Sequence, residues 1–204
     1  MKRFPVAQIC VLALAAVMNL VGGNIALLLR LPIYLDSLGT VLAAALFGPI
    51  WGMVPGVASG VIGGCISDPY AFYYIPVQMV LGLLAGLLFW RFPLGKKRRP
   101  GMLFLGSAFL SLPGTLVSSA ITAFLFGGIT SSGSTVLVQL LYGMGMDLTA
   151  SVFLVQAATD YIDRTVVLLA AVLLYRALPA ALKARLAAKT IRTKSQKGDR
   201  HGTL

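Results

Sequence analysis

Glutamate is absent from this chain: all six acidic residues are aspartates. Any mechanism that requires a glutamate is thereby excluded. Histidine occurs once, at His201 in a polar C-terminal stretch, which leaves no imidazole base or ligand in the apolar segments. Zincin motifs, Ser/His rhomboid-type proteolysis and glutamate-dependent membrane proteolysis all fail on this inventory. The two cysteines, Cys10 and Cys65, each stand in an apolar stretch, where reduced, packed thiols are expected rather than a disulfide. No Gly-x-x-x-x-Gly-Lys-Ser/Thr phosphate loop occurs, so nothing in the chain reads as a nucleotide-hydrolysing site of that kind. With Asp but no glutamate, thiol pair or activated serine, enzymatic chemistry has little to work with, and neither metal nor cofactor is expected.

Charged residues make up 11% of the chain, against about 25% in soluble domains. Hydrophobic residues make up 58% and the mean hydropathy is +0.88, which together define an integral membrane protein. Six spans of about 20 residues would occupy roughly 120 positions. A chain of 204 residues then has no room for a separate soluble domain. The expected fold is all-α, a compact bundle of six transmembrane helices over residues 1–180, followed by a basic cytoplasmic tail over 181–204.

Gaps between charges mark the spans, because a charge at mid-membrane costs at least about 2.5 kcal/mol. Phe4 to Leu29 carries none and reads as a retained first helix rather than a signal peptide. Ser37 to Ser67 is also uncharged but is broken by Gly48-Pro49-Ile50-Trp51-Gly52, a tight turn between two short helices. A fourth span runs from Tyr70 to Trp90. Between Gly101 and Met146 the polar insert 127–134 separates a fifth span from a half-length apolar segment, which forms an external loop or a short, partly buried helix. The last helix is expected to begin near Asp160 and to run to Tyr175. Pro55 and Pro76 suggest kinks within their spans.

With both termini cytoplasmic, 15 of the 17 basic residues fall inside, all but Arg30 and Arg164. A five-span alternative with a flipped N-terminus leaves 14 inside, so charge bias barely separates the two; the Gly-Pro-Ile-Trp-Gly break favours six. Asp36, Asp68, Asp147, Asp160 and Asp163 then gather at the outer face, as helix caps or as an acidic mouth for a polar ligand. The Arg91 to Arg99 cluster and the tail would face a partner or anionic lipid, and orientation accounts for the +11 charge without nucleic acid.

Gly52, Gly56, Gly60 and Gly64 recur every four residues and make a ridge almost free of side chains, suited to a neighbouring helix or a docked partner. Tyr70, Phe72, Tyr73 and Tyr74 beside Asp68 and Gln78 read as an aromatic belt or a stacking pocket for a planar solute. Gln78, Gln139 and Gln156 need partners in their apolar surroundings. Asp160, Asp163 and Arg164 lie at i, i+3 and i+4. An Asp160–Arg164 pair would fix the loop, leaving Asp163 to face a ligand or to accept backbone N–H groups.

The six-helix layout, the segments Leu31-Pro32-Ile33-Tyr34-Leu35-Asp36-Ser37-Leu38-Gly39-Thr40 and Ala43-Ala44-Ala45-Leu46-Phe47-Gly48-Pro49-Ile50-Trp51-Gly52, and the Asp-rich last helix resemble the substrate-binding S components of energy-coupling factor (ECF) transporters. The resemblance covers roughly residues 4 to 180. It implies a vitamin-binding subunit in a prokaryotic plasma membrane, working with a transmembrane coupling subunit and two cytoplasmic ATPases. It also implies a site near the outer face built from Tyr34, Asp36, Tyr70, Tyr73, Gln78, Tyr142, Asp147, Gln156 and Asp160. The coupling subunit would dock on Ala13, Ala16 and Gly23 of the first helix. The outer Asp, Tyr and Gln set suits a planar, neutral or cationic solute. The competing reading is a sensor or scaffold that binds no solute and docks a partner through Gly52, Gly56 and Gly60.

Overall fold

The computed structural model describes residues 6–93 and 101–179. Lys2, Arg3, Lys96 to Arg99, Asp199, His201 and the tail expected over 181–204 lie outside the described residues. Seven α-helices follow one another: α1 (Val6–Leu28), α2 (Leu38–Phe47), α3 (Pro49–Ile66), α4 (Ile75–Arg91), α5 (Gly101–Ala120), α6 (Ser134–Gly143) and α7 (Leu148–Ala177). A 3-10 turn at Pro69–Phe72 precedes α4, and a π-turn at Ile121–Leu125 extends α5. No strand occurs among the described residues, which form an all-helical fold.

Three helical stretches, Val6–Leu28, Pro49–Ile66 and Gly101–Leu125, are long and apolar enough to cross a membrane. The ten residues of α2 rise only about 15 Å, half a typical hydrocarbon thickness. Gly48, at φ +89°, makes the tight turn between α2 and α3, in a region of φ that glycine adopts without strain. Pro76 does not kink α4: it occupies the helix's first turn, where no N–H is required. Pro55 lies inside α3 and is buried. The half-length apolar segment forms the short, partly buried α6.

The last helix begins at Leu148, not near Asp160, and runs for 30 residues. Charge gaps mislead here because the charges are inside. Asp160, Asp163 and Arg164 sit on the buried stripe of α7 with exposures of 3%, 0% and 5%, and find their partners in α5, in loop 29–37 and in each other. This stripe changes character along its length. Val167, Leu168, Ala171 and Val172 pack on Val41, Leu81, Ala85, Phe89 and Leu110 in the main apolar core. Above Arg164 the same face carries Asp163, Asp160, Thr159 and Gln156. The interior is therefore apolar at one end and polar at the other.

The glycine ridge of α3 is filled from within. A Cβ on Gly56 would stand 2.9 Å from the Gln78 Cβ and from Thr40 Oγ1, and one on Gly60 2.6 Å from Ile75 Cγ1. Gly52 is pressed against Ala44 of α2, while Gly82 and Gly86 of α4 meet the backbone of Gly52, Met53 and Pro49. Helices α2, α3 and α4 thus approach at backbone distance. Gly52, Gly56 and Gly60 are buried there and offer no surface to a partner. The proposed docking set on α1 is split as well: Ala13 is exposed, Ala16 is buried and Gly23 packs on Asp36. Both thiols are free and exposed rather than packed.

Candidate functional site

Loops 29–37, 67–74 and 126–133 converge over the polar end of the interior, and each is tied by a different device. Loop 29–37 folds onto the middle of α7, where Asp163 Oδ1 accepts the N–H groups of Tyr34 at 3.0 Å and Leu35 at 2.8 Å. Asp163 Oδ2 accepts from Arg164 Nη1 at 2.7 Å, and the same nitrogen donates to Ser37 Oγ. Every oxygen of this buried carboxylate is thereby used, and the loop's N–H groups are satisfied away from water. The expected Asp160–Arg164 pair does not form. Arg164 turns to the adjacent Asp163, while Asp160 Oδ2 accepts from Thr115 at 2.7 Å and Ser118 at 3.3 Å of α5. Asp163 is the residue that closes the loop by accepting backbone N–H groups, one of the two roles its spacing left open.

Loop 29–37 also rests on α1 through glycine. A Cβ on Gly22 would lie 2.2 Å from the Leu35 carbonyl oxygen, and one on Gly23 3.2 Å from the Asp36 Cβ. Arg30 and Leu35 hold φ values of +49° and +52°, a left-handed conformation that costs non-glycine residues of order 1–3 kcal/mol each. The surrounding bonds over-determine it.

From α1 a polar chain runs through α2 and α4 to loop 29–37. Asn19 Oδ1 accepts the N–H of Gly39 at 2.7 Å and of Thr40 at 3.3 Å, serving two of the free donors at the start of α2. Its Nδ2 donates to Thr40 Oγ1 at 2.8 Å; Thr40 Oγ1 donates to Gln78 Oε1 at 3.3 Å, and Gln78 Nε2 donates to the Asp36 carbonyl at 3.1 Å. Loops 67–74 and 126–133 meet through Phe126, whose ring lies edge-on to Tyr70 at 4.7 Å and Tyr73 at 5.1 Å. Ser131 donates to Asp68 Oδ2 across the same seam.

These elements enclose a cavity of about 140 Å³. That is roughly ten times the 10–15 Å³ that one water needs by the same measure. Tyr34, Asp36, Tyr70, Gln78 and Asp160, all expected from the sequence, line it. So do Tyr74, from the aromatic cluster read as a belt or a stacking pocket, and Asn19, Ser118, Thr130 and Arg164, which were not expected as site residues. The remaining expectations lie elsewhere. Tyr73 belongs to the Phe126 clasp and is half exposed. Gln156 pins α7 to α5, accepting from Ser118 and Ser119 and donating to Thr122 at 2.7 Å. Tyr142 is exposed near the end of α6, and Asp147 caps α7 by accepting from Ala150 N–H at 3.1 Å. Asp68 lines the cavity and also caps its 3-10 turn, accepting from Tyr70 N–H.

One polar atom in this network has no partner. Asp36 Oδ1 is closed off from solvent and has no hydrogen-bond partner, the only such buried side-chain atom among the described residues, although the Gln78 amide lies close enough to the carboxyl to favour its charged form. Burial pushes the Asp36 carboxyl up to about 6; the nearby Arg164 charge opposes the shift, and Asp163 adds to it. No group of His, Cys or Asp among the described residues is arranged to hold a metal ion. Comparisons with protein-family models, with curated proteins and with solved structures find no match.

Proposed function

We propose that this chain is the membrane-embedded solute-binding subunit of an ECF-type transporter. It takes a small planar molecule, a vitamin or vitamin precursor, into the cavity under loops 29–37, 67–74 and 126–133. The carrying observation is that cavity: a chamber of about 140 Å³ with a largely apolar wall, into which Tyr34, Tyr70, Tyr74, Asp36, Asp160 and Gln78 bring polar groups. An apolar rim with a few converging polar groups is the usual form of a small-molecule site. A bundle needing only stability would have filled the space with aliphatic side chains.

In this reading α1 to α5 and α7 make six spans with α2 the short one, both termini are cytoplasmic, and the membrane is a prokaryotic plasma membrane. A transmembrane coupling subunit and two cytoplasmic ATPases supply the energy, so this chain itself catalyses nothing. The experiment is thermal unfolding of the detergent-purified protein against a panel of vitamins and their precursors. A ligand at 100 times its dissociation constant adds about 2.7 kcal/mol. One selective hit supports the proposal, and a folded, monodisperse sample that responds to none refutes it.

A further inference from the structure

The sign and seat of the ligand's charge follow from how the cavity's ionic groups are already engaged. Three carboxylates, Asp36, Asp68 and Asp160, face it against one guanidinium, Arg164. That guanidinium is matched by Asp163, whose Oδ2 it meets at 2.7 Å. Asp68 is satisfied by Tyr70 N–H and Ser131, and Asp160 is held by Thr115 and Ser118. Asp36 differs from all of them: it lines the cavity, and its Oδ1 is buried without a hydrogen-bond partner. An unpaired buried carboxylate oxygen is destabilising on its own. Tyr34, Tyr70 and Tyr74 line the same cavity. Aromatic faces attract cations as well as flat rings.

Resting on the reading of this cavity as a solute site, we propose that its ligand is a planar organic cation whose charged N–H group docks on the Asp36 carboxylate. The ligand supplies the donor that the fold withholds. An anionic solute is rejected, since Arg164 is already neutralised and Asp36 and Asp160 would repel it. A neutral solute leaves the carboxylate charge uncompensated.

The test uses the full chain in detergent and three probes of one shape and different charge: benzamidinium, benzamide and benzoate. At equal concentration, benzamidinium is expected to raise the unfolding temperature of the wild type while the other two leave it unchanged. Asp36→Asn is expected to weaken benzamidinium binding about tenfold to a hundredfold, the range for losing a hydrogen bond to a charged group. The wild-type comparison stands alone should Asp36→Asn fail to fold. Equal stabilisation by benzamide or benzoate overturns the proposal, as does benzamidinium binding that ignores Asp36→Asn. An effect of sodium chloride equal to that of benzamidinium chloride also overturns it, because an alkali metal ion would then be the partner. Stabilisation by a neutral or anionic vitamin alone overturns the cation assignment and leaves the solute-binding reading standing. Silence of the probes and of every vitamin overturns both.

Discussion

Asp163 holds Leu35: from the middle of α7 its Oδ1 accepts the Leu35 N–H at 2.8 Å, so a loop 128 positions earlier in the sequence is fastened to the last long helix. The same carboxylate carries the ion pair with Arg164. Asp163→Ala therefore strips the loop of its anchor and leaves a buried guanidinium unpaired, a change that typically costs 3–5 kcal/mol, or about that here. Thermal unfolding should fall accordingly. Trypsin should spare the exposed Arg30 in the folded wild type and cut there in the variant.

Asp36 makes apo stability depend on pH in a defined direction. Its carboxyl is raised from 3.8 to about 6 by burial, with Arg164 and Gln78 opposing and Asp163 reinforcing the shift. A folded pKa above the unfolded one means that the stabilising contribution is complete below about 3.8 and is lost as pH rises through about 6. At about 1.36 kcal/mol per pKa unit the full swing is about 3 kcal/mol. Unfolding curves of ligand-free protein should show stability falling between pH 4 and pH 7, about 3 kcal/mol more for the wild type than for Asp36→Asn. Parallel curves would contradict it.

Helices α3 and α4 depend on glycine at their crossing. A Cβ on Gly82 would lie 2.8 Å from the backbone of Gly52 and Met53, atoms that cannot swing aside. Gly82→Ala should lower the yield of monodisperse protein sharply. Gly143→Ala meets nothing within 4 Å and should leave yield and stability within about 1 kcal/mol of wild type.

The aromatic residues divide by role. Tyr70 lines the cavity, whereas Tyr142 lies exposed near the end of α6. Tyr70→Ala should weaken any ligand identified in the panel, with loss of a stacking surface worth about 1 kcal/mol. Tyr142→Ala should leave its affinity unchanged in the same titration.

Much of this architecture was readable in the sequence, and the failures have physical causes. The Gly48-Pro49 break, the α1, α3 and α4 stretches and the four-residue glycine spacing announced themselves, because helix period and turn chemistry are local properties. The start of α7 did not. Asp160, Asp163 and Arg164 look like a helix entry when charge is taken as a mark of solvent, and only the distant partners Leu35, Ser37 and Thr115 make them interior residues. Asp147, Gln156 and Tyr142 are assigned to the site by the family resemblance alone, and they do not touch the cavity. Asn19 and Phe126 carried no sequence signal at all. One is a lone amide in an apolar helix and the other one phenylalanine among ten. Their roles arise from residues 20 and 56 positions away, Gly39 and Tyr70.

The most direct test of the central claim is native mass spectrometry of the protein purified from cells grown in rich medium. A binding subunit should carry one small molecule of a single mass, retained by the wild type and lost from Asp36→Asn. A wild-type protein that flies folded and empty, and stays empty after incubation with the full vitamin panel, would contradict it.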